Sequence, residues 1–173
     1  MATLFVLKVI SKKATVTAFG LGKTEMNDLS ITRILVEPVL RRARRDYSTW
    51  VNDDDHIMSG DEIVARSFES DALMICHSEI LSENIVARLS DRLKVVANYS
   101  VGVDHCDLRA LKKRGIVVTN TPDVLSDATA EIAILLLLCA CRRAYEGDQM
   151  LRTGTWLHWA PSAMNGIQLT KKK

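Results

Sequence analysis

The chain is 173 residues long, 47% hydrophobic and 25% charged, ordinary composition for one compact soluble domain, which excludes the disordered, collagen-like and coiled-coil classes. Lys plus Arg is 23 against 21 Asp plus Glu, a net charge of +2, too weak a field to argue for nucleic acid. Aromatic residues make up 5% and offer no stacking platform for bases.

The first 30 residues stand apart and are left unassigned. LFVLKVI and ATVTAF each have the look of a short strand, but a polar stretch without clear period, GLGKTEMNDLS, follows. An added hairpin, a disordered lead and sequence foreign to the next domain are all open readings. GLGKT invites a phosphate-loop reading that fails on spacing. A Walker loop needs glycine where Thr17 sits, and Gly-x-Gly-x-x-Gly from Gly20 needs one where Glu25 sits. No other pair of the eight glycines has the spacing of a cofactor fingerprint.

From Arg33 onward, apolar β-type runs alternate with helical patterns. RILVE predicts a strand, Pro38 to Asp46 a helix, and YSTWV a second strand. Arg41, Arg42, Arg44 and Arg45 on that first helix read as solvated surface, as do Lys171 to Lys173. Ser59 and Glu62 form a capping box that opens the next helix. ALMIC (72–76), the helix ENIVARL and KVVAN (94–98) come next, then a helix capped by Asp107 and stopped by Gly115, and the strand IVVT (116–119). Continuous Val/Ile runs separated by short helices describe an α/β fold whose parallel sheet is covered on both faces. A single long helix is expected from NTPD through LRT to Gly154. Its core, EIAILLLLCAC, is too short and interrupted to cross a bilayer and reads as buried.

Cys76, Cys106, Cys139 and Cys141 have no CxxC spacing and read as small buried hydrophobes, with no zinc site or disulfide frame. Asp53, Asp54 and Asp55 lack the alternation of calcium loops and read as a solvated loop. No export signal is recognisable, so a cytoplasmic setting is the expectation.

SVGVDHCD (100–107) follows KVVAN directly, at the carboxyl end of a parallel strand, where open α/β sheets bind ligands. Gly102, lacking a Cβ, lets the backbone turn so that successive amides near Val101 and Gly102 face one anionic oxygen. The same segment also reads as a plain strand-to-helix turn in which Asp104 or Asp107 is a cap. His105, and His77 at the same sheet edge, are titratable candidates without a paired carboxylate fixed by the sequence, and each also reads as a loop residue. Trp156 and Trp159, three apart after Gly154, read either as core or as anchors against a partner chain.

Four pieces in order, LKVVANYSVGVDHCDL, KKRGIVVTNTPDVL, SDATAEIAILLLLCACRR and GTWLHWAP ahead of GIQLTKK, resemble the D-isomer-specific 2-hydroxyacid dehydrogenases, most closely the glyoxylate and hydroxypyruvate reductases. The resemblance runs from Arg33 to Lys173 and leaves the first 30 residues unmatched. It implies a flavodoxin-like substrate domain (31–120), then an interdomain helix and the start of a truncated Rossmann NAD(P)-binding domain (121–173). It implies that Val101 and Gly102 offer amides to the carboxylate of a 2-oxo acid, with Val101 also near the nicotinamide. Thr129 lies at the cofactor cleft by this resemblance, though a helix-capping role suits its hydroxyl equally. Trp159 resembles a tryptophan that reaches toward the neighbouring subunit of a homodimer.

The implied reaction is reduction of glyoxylate or hydroxypyruvate by NADH or NADPH to the D-2-hydroxy acid, without a nucleic-acid or membrane partner. The family's arginine, and its histidine paired with a glutamate, follow the cofactor fingerprint. Nothing here matches them, His77 and His105 included, so no catalytic residue is assigned and the segment alone is expected to be inactive. The alternative is a non-catalytic binding or dimerisation module of the same family.

Overall fold

The computed structural model describes residues 26–170. LFVLKVI, ATVTAF, GLGKT and the final lysines lie outside them. The chain divides into two compact units, one ending at Val124 and the other beginning at Leu125.

The first unit alternates strand and helix. Its elements are β1 (Asp28–Ile31), α1 (Glu37–Asp46), β2 (Ser48–Val51), α2 (Gly60–Ser67), β3 (Ala72–Ile75), α3 (Glu83–Arg88), β4 (Val95–Asn98), α4 (Leu108–Lys113) and β5 (Val117–Thr119). All pairings are parallel, in the order β2-β1-β3-β4-β5. That is the flavodoxin-like order, and the expected α/β class holds.

One strand differs from the expectation. β1 occupies Asp28–Ile31 rather than RILVE, so the sheet starts inside the stretch left unassigned. Ser30 interrupts the apolar pattern and hides the strand. Its hydroxyl is buried against that of Ser70 at 2.7 Å, which removes the cost of a polar atom in the core. Leu35 and the residues around it instead lead into α1, where a proline occupies the first turn.

Alternation along the strands divides the core. Ala72, Met74, Val95 and Ala97 join Leu29, Ile31, Val39 and Leu40 on one face. Leu73, Ile75 and Val96 join Ile63, Leu81, Val86, Leu93 and Leu111 on the other. Burial on both faces is why the strands read as continuous apolar runs. Each fully buried Leu, Ile or Val side chain contributes roughly 1.5–3 kcal/mol.

The caps lie where spacing puts them. Ser59 Oγ accepts from Glu62 N at 3.3 Å while Glu62 Oε2 accepts from Ser59 N at 2.7 Å. Asp107 Oδ1 accepts from Arg109 N and Ala110 N at 3.0 and 2.9 Å, and Gly115 ends its helix at φ +68°.

In the second unit the expected long helix is two: α5 (Ser126–Cys141) and α6 (Ala144–Arg152). Arg143 stands between them in the left-handed region at φ +54° and pairs its guanidinium with Glu146 in the first turn of α6. Gly154 ends α6 at φ +67°. The expected burial of EIAILLLLCAC is not found. Ile132, Ile134 and Leu135 to Leu138 are all exposed. Ile167 N donates to the last carbonyl of α5, Cys141 O, at 2.7 Å. A Cβ on Gly166 would collide with that carbonyl and reach Arg142 Cα at 3.0 Å. Among the described residues no helix is long and apolar enough to cross a membrane.

Candidate functional site

β4 delivers the chain to the carboxyl edge of the sheet at Asn98, which is fully buried. The loop that follows is tied down by its carbonyls. Ser100 O accepts from Thr121 N at 3.0 Å, Val101 O from Asn120 Nδ2 at 2.8 Å, and Gly102 O from Asn98 Nδ2 at 2.7 Å. In a trans peptide the carbonyl of one residue and the N–H of the next point to opposite sides, and no described residue has a cis bond. Anchoring these three carbonyls therefore turns the amides of Val101, Gly102 and Val103 away from their anchors. None of the three donates to an acceptor among the described residues. Val101 and Gly102 are exposed and Val103 is half-buried, so three amides without a partner among the described residues lie in succession at the sheet edge.

Gly102 corrects one expectation. Only Gly115 and Gly154 among the described glycines have positive φ, so position 102 does not need glycine for an unusual backbone conformation. Packing among the described residues does not demand it either. A Cβ there would meet Asp104 Oδ2 at 3.4 Å and nothing else within 4 Å.

The loop after β3 borders this one. Leu81 N donates to His105 O and Asp107 N donates to Leu81 O, both at 2.8 Å. Glu79 is fully buried beneath it, accepting from Cys76 N at 2.9 Å and Ser78 Oγ at 3.1 Å. Burial, followed by the Glu79 carboxylate, pushes the Cys76 thiol up to about 11. Burial alone does the same for Cys106, also to about 11. Burial lowers the His105 imidazole below its usual range, and the positive field of His77 adds to this against Glu79 and Asp104.

At the switch point between β1 and β3, an ion pair fills the edge. Arg33 Nε lies 2.9 Å from Asp55 Oδ1, and Arg33 Nη1 donates to Ser78 Oγ at 3.1 Å. The Arg33 hydrogen bond holds the Asp55 carboxyl below the usual carboxylate range. Asp55 is thus a tethering residue, while Asp53 and Asp54 are exposed as a solvated loop should be.

Thr129 lies in the first turn of α5, exposed, and no side-chain hydrogen bond caps that helix. Trp156 and Trp159 are also exposed, Trp159 at 76%. Neither belongs to a buried core cluster. Cys106 is buried, whereas Cys76, Cys139 and Cys141 are only half-buried, and all four are free. The described residues hold no cluster suited to a metal ion. Among them no strand-to-helix turn carries the glycine-rich pattern that holds a dinucleotide pyrophosphate.

The sequence patterns single out Val101 and Gly102 but miss Asn98, Asn120 and Thr121, which anchor the loop. An asparagine at a strand end and another before Thr-Pro look like turn residues. Their targets depend on how the loop returns, which spacing does not encode.

The family model for the D-isomer specific 2-hydroxyacid dehydrogenase catalytic domain matches residues 32–170. The chain belongs to this family. Among its dehydrogenase relatives, glycerate dehydrogenase of Hyphomicrobium methylovorum is 41% identical over 142 residues, covering 82% of this chain and 44% of the relative. Glyoxylate reductase of Thermococcus onnurineus is 40% identical over 146 residues, covering 80% and 42%. In structure, the NADPH-dependent glyoxylate/hydroxypyruvate reductase of Sinorhizobium meliloti, solved with NADP and malonate, superposes with a TM-score of 0.67. It is 27% identical, over 84% of this chain and 44% of that one. The chain spans less than half the length of each of these relatives.

Proposed function

We propose that this chain is the acid-binding portion of an NAD(P)-dependent D-2-hydroxyacid dehydrogenase. In it, the amides of Val101 and Gly102 take the carboxylate of a small 2-oxo acid of the glyoxylate or hydroxypyruvate kind. The observation that carries this reading is the row of anchored carbonyls, which leaves those amides without partners at the sheet edge. Backbone N–H groups held in place before the ligand arrives bind an anion without reorganisation, and hydrogen bonds to a charged acceptor are roughly twice as strong as neutral ones. The names of the relatives support the substrate class. Malonate, a small dicarboxylate, accompanies NADP in the Sinorhizobium reductase.

NAD or NADP is the cofactor of this reading, with hydride supplied to the carbonyl carbon when it is bound. Its grip is assigned to the part of the relatives that this chain does not span. Val101 and Thr129 are each assigned to it by the family resemblance alone. The 173 residues contain no Gly-x-Gly-x-x-Gly, so they are expected to bind and orient the acid without oxidising NAD(P)H. Exposed Trp159 suits a homodimer interface, where aromatic anchors concentrate, and a cytoplasmic setting suits four free cysteines.

Oxalate, a small acid that cannot be reduced by hydride, tests the site. Titrated into the full chain and followed by amide nitrogen–proton correlation spectra, it is expected to shift Val101 and Gly102 with Kd on the order of 1 mM. Chloride at equal ionic strength should not. Val101 and Gly102 signals that ignore oxalate throughout the titration would overturn the reading.

A further inference from the structure

Asn98 is a fully buried side chain whose carboxamide reaches the loop. It ends β4, paired in register with Ile75, and its side chain is buried. A buried carboxamide must satisfy both its nitrogen and its oxygen. Nδ2 donates to Gly102 O at 2.7 Å and, at the limit of range, to Ser100 O at 3.5 Å. Oδ1 faces His105 Nε2 at 3.1 Å. The Gly102 carbonyl needs a donor, so Nδ2 must face it and Oδ1 must face the imidazole. Nε2 therefore carries the proton and donates.

We propose that Asn98 is a positioning residue for the acid-binding loop: by holding the Gly102 carbonyl inward it presents the Val103 N–H as a third donor beside those of Val101 and Gly102, and His105 fixes its carboxamide. This rests on the reading that the loop binds a carboxylate. Three donors suit that ligand, because each carboxylate oxygen has two acceptor sites. The division of labour follows from peptide geometry. Thr121 N sets the Val101 amide, Asn120 the Gly102 amide and Asn98 the Val103 amide. Of these anchors only Asn98 is itself oriented by another side chain. Protonation of His105 would add a proton at Nδ1 and leave the Nε2–H donor in place, so the clamp does not depend on the charge of that imidazole.

The test is the oxalate titration of the full chain with Asn98→Ala and His105→Ala. Wild type is expected to show Val101, Gly102 and Val103 shifting together along one binding curve. Asn98→Ala should weaken binding about tenfold, the loss of roughly one charge-assisted hydrogen bond, and the Val103 shift should vanish while Val101 still responds. His105→Ala, at a part-exposed loop position that does not threaten the core, should weaken binding about threefold and diminish the Val103 shift first. Selective loss at Val103 separates positioning from general damage to the fold, which would move all three amides and the β4 signals alike. If Asn98→Ala fails to fold, Asn98→Leu, similar in volume and without the N–H donor, takes its place. Unchanged affinity with an unchanged Val103 response in the variants that fold would overturn the role of Asn98 and leave the acid-binding reading intact. A wild-type chain in which none of the three amides responds would overturn both.

Discussion

A methyl group added at Gly102 would touch only Asp104 Oδ2, at 3.4 Å, and on the proposed reading it would stand beside the amides that take the acid. Folding and binding therefore make separate demands there. Because the backbone at 102 is not left-handed, Gly102→Ala should leave thermal stability unchanged or raise it by ~0.4–1 kcal/mol through the unfolded chain. Oxalate affinity should fall about tenfold, equivalent to ~1.4 kcal/mol. Melting and titration of the same variant check both halves, and a variant that binds normally would show that the approach does not pass over Gly102. The sequence singles this residue out because a glycine just past an apolar strand is a local pattern. It does not single out Asn98, since its partners Gly102 and His105 are set by the curl of the loop. The sequence suggests backbone freedom as the use of glycine at 102, whereas its φ is not positive and an added Cβ meets only Asp104 Oδ2.

Short helices carry the loops of this sheet edge, and a helix of six residues such as α4 does not persist without tertiary contacts and caps. Asp107 meets that need by accepting from two first-turn amides, and its own N–H ties α4 to Leu81. Asp107→Ala should cost about 1 kcal/mol, read as a lower urea midpoint at unchanged slope. An unchanged midpoint would mean that the Leu81 tie and the packing of Leu111 hold the helix unaided. Caps of this kind were legible because donor and acceptor lie within three residues of each other, as Ser59 and Glu62 do. β1 was missed because the partner of Ser30 is Ser70, forty residues away in sequence, and no local pattern announces a buried pair of hydroxyls. The break between α5 and α6 was missed for a related reason. It falls at Arg142 and Arg143 without glycine or proline to mark it, where Arg143 takes a left-handed backbone and pairs with Glu146.

Across the whole molecule, the first unit closes both faces of its sheet with its own helices, whereas α5 in the second unit has no buried residue. A helix apolar around its whole circumference belongs in an interior. Ile132 is 55% exposed and Leu136 62%, and contiguous apolar surface of this kind marks an interaction site or an aggregation liability. The sequence made the apolar character plain but not its exposure, because burial depends on what packs against a helix rather than on the helix alone. The full chain is therefore expected to self-associate as concentration rises and to enhance the fluorescence of an apolar dye. Leu136→Glu with Ile132→Lys should reduce both while leaving the far-ultraviolet dichroism of α5 in place, since both replacements are adequate helix formers. Light scattering after size exclusion gives the mass and dye titration the exposed surface. A chain that stays monomeric and dark to the dye at every concentration would mean that its own residues cover α5 in solution. The double substitution would then bury two charges and lower the melting temperature sharply, which separates that outcome from the expected one in a single further measurement.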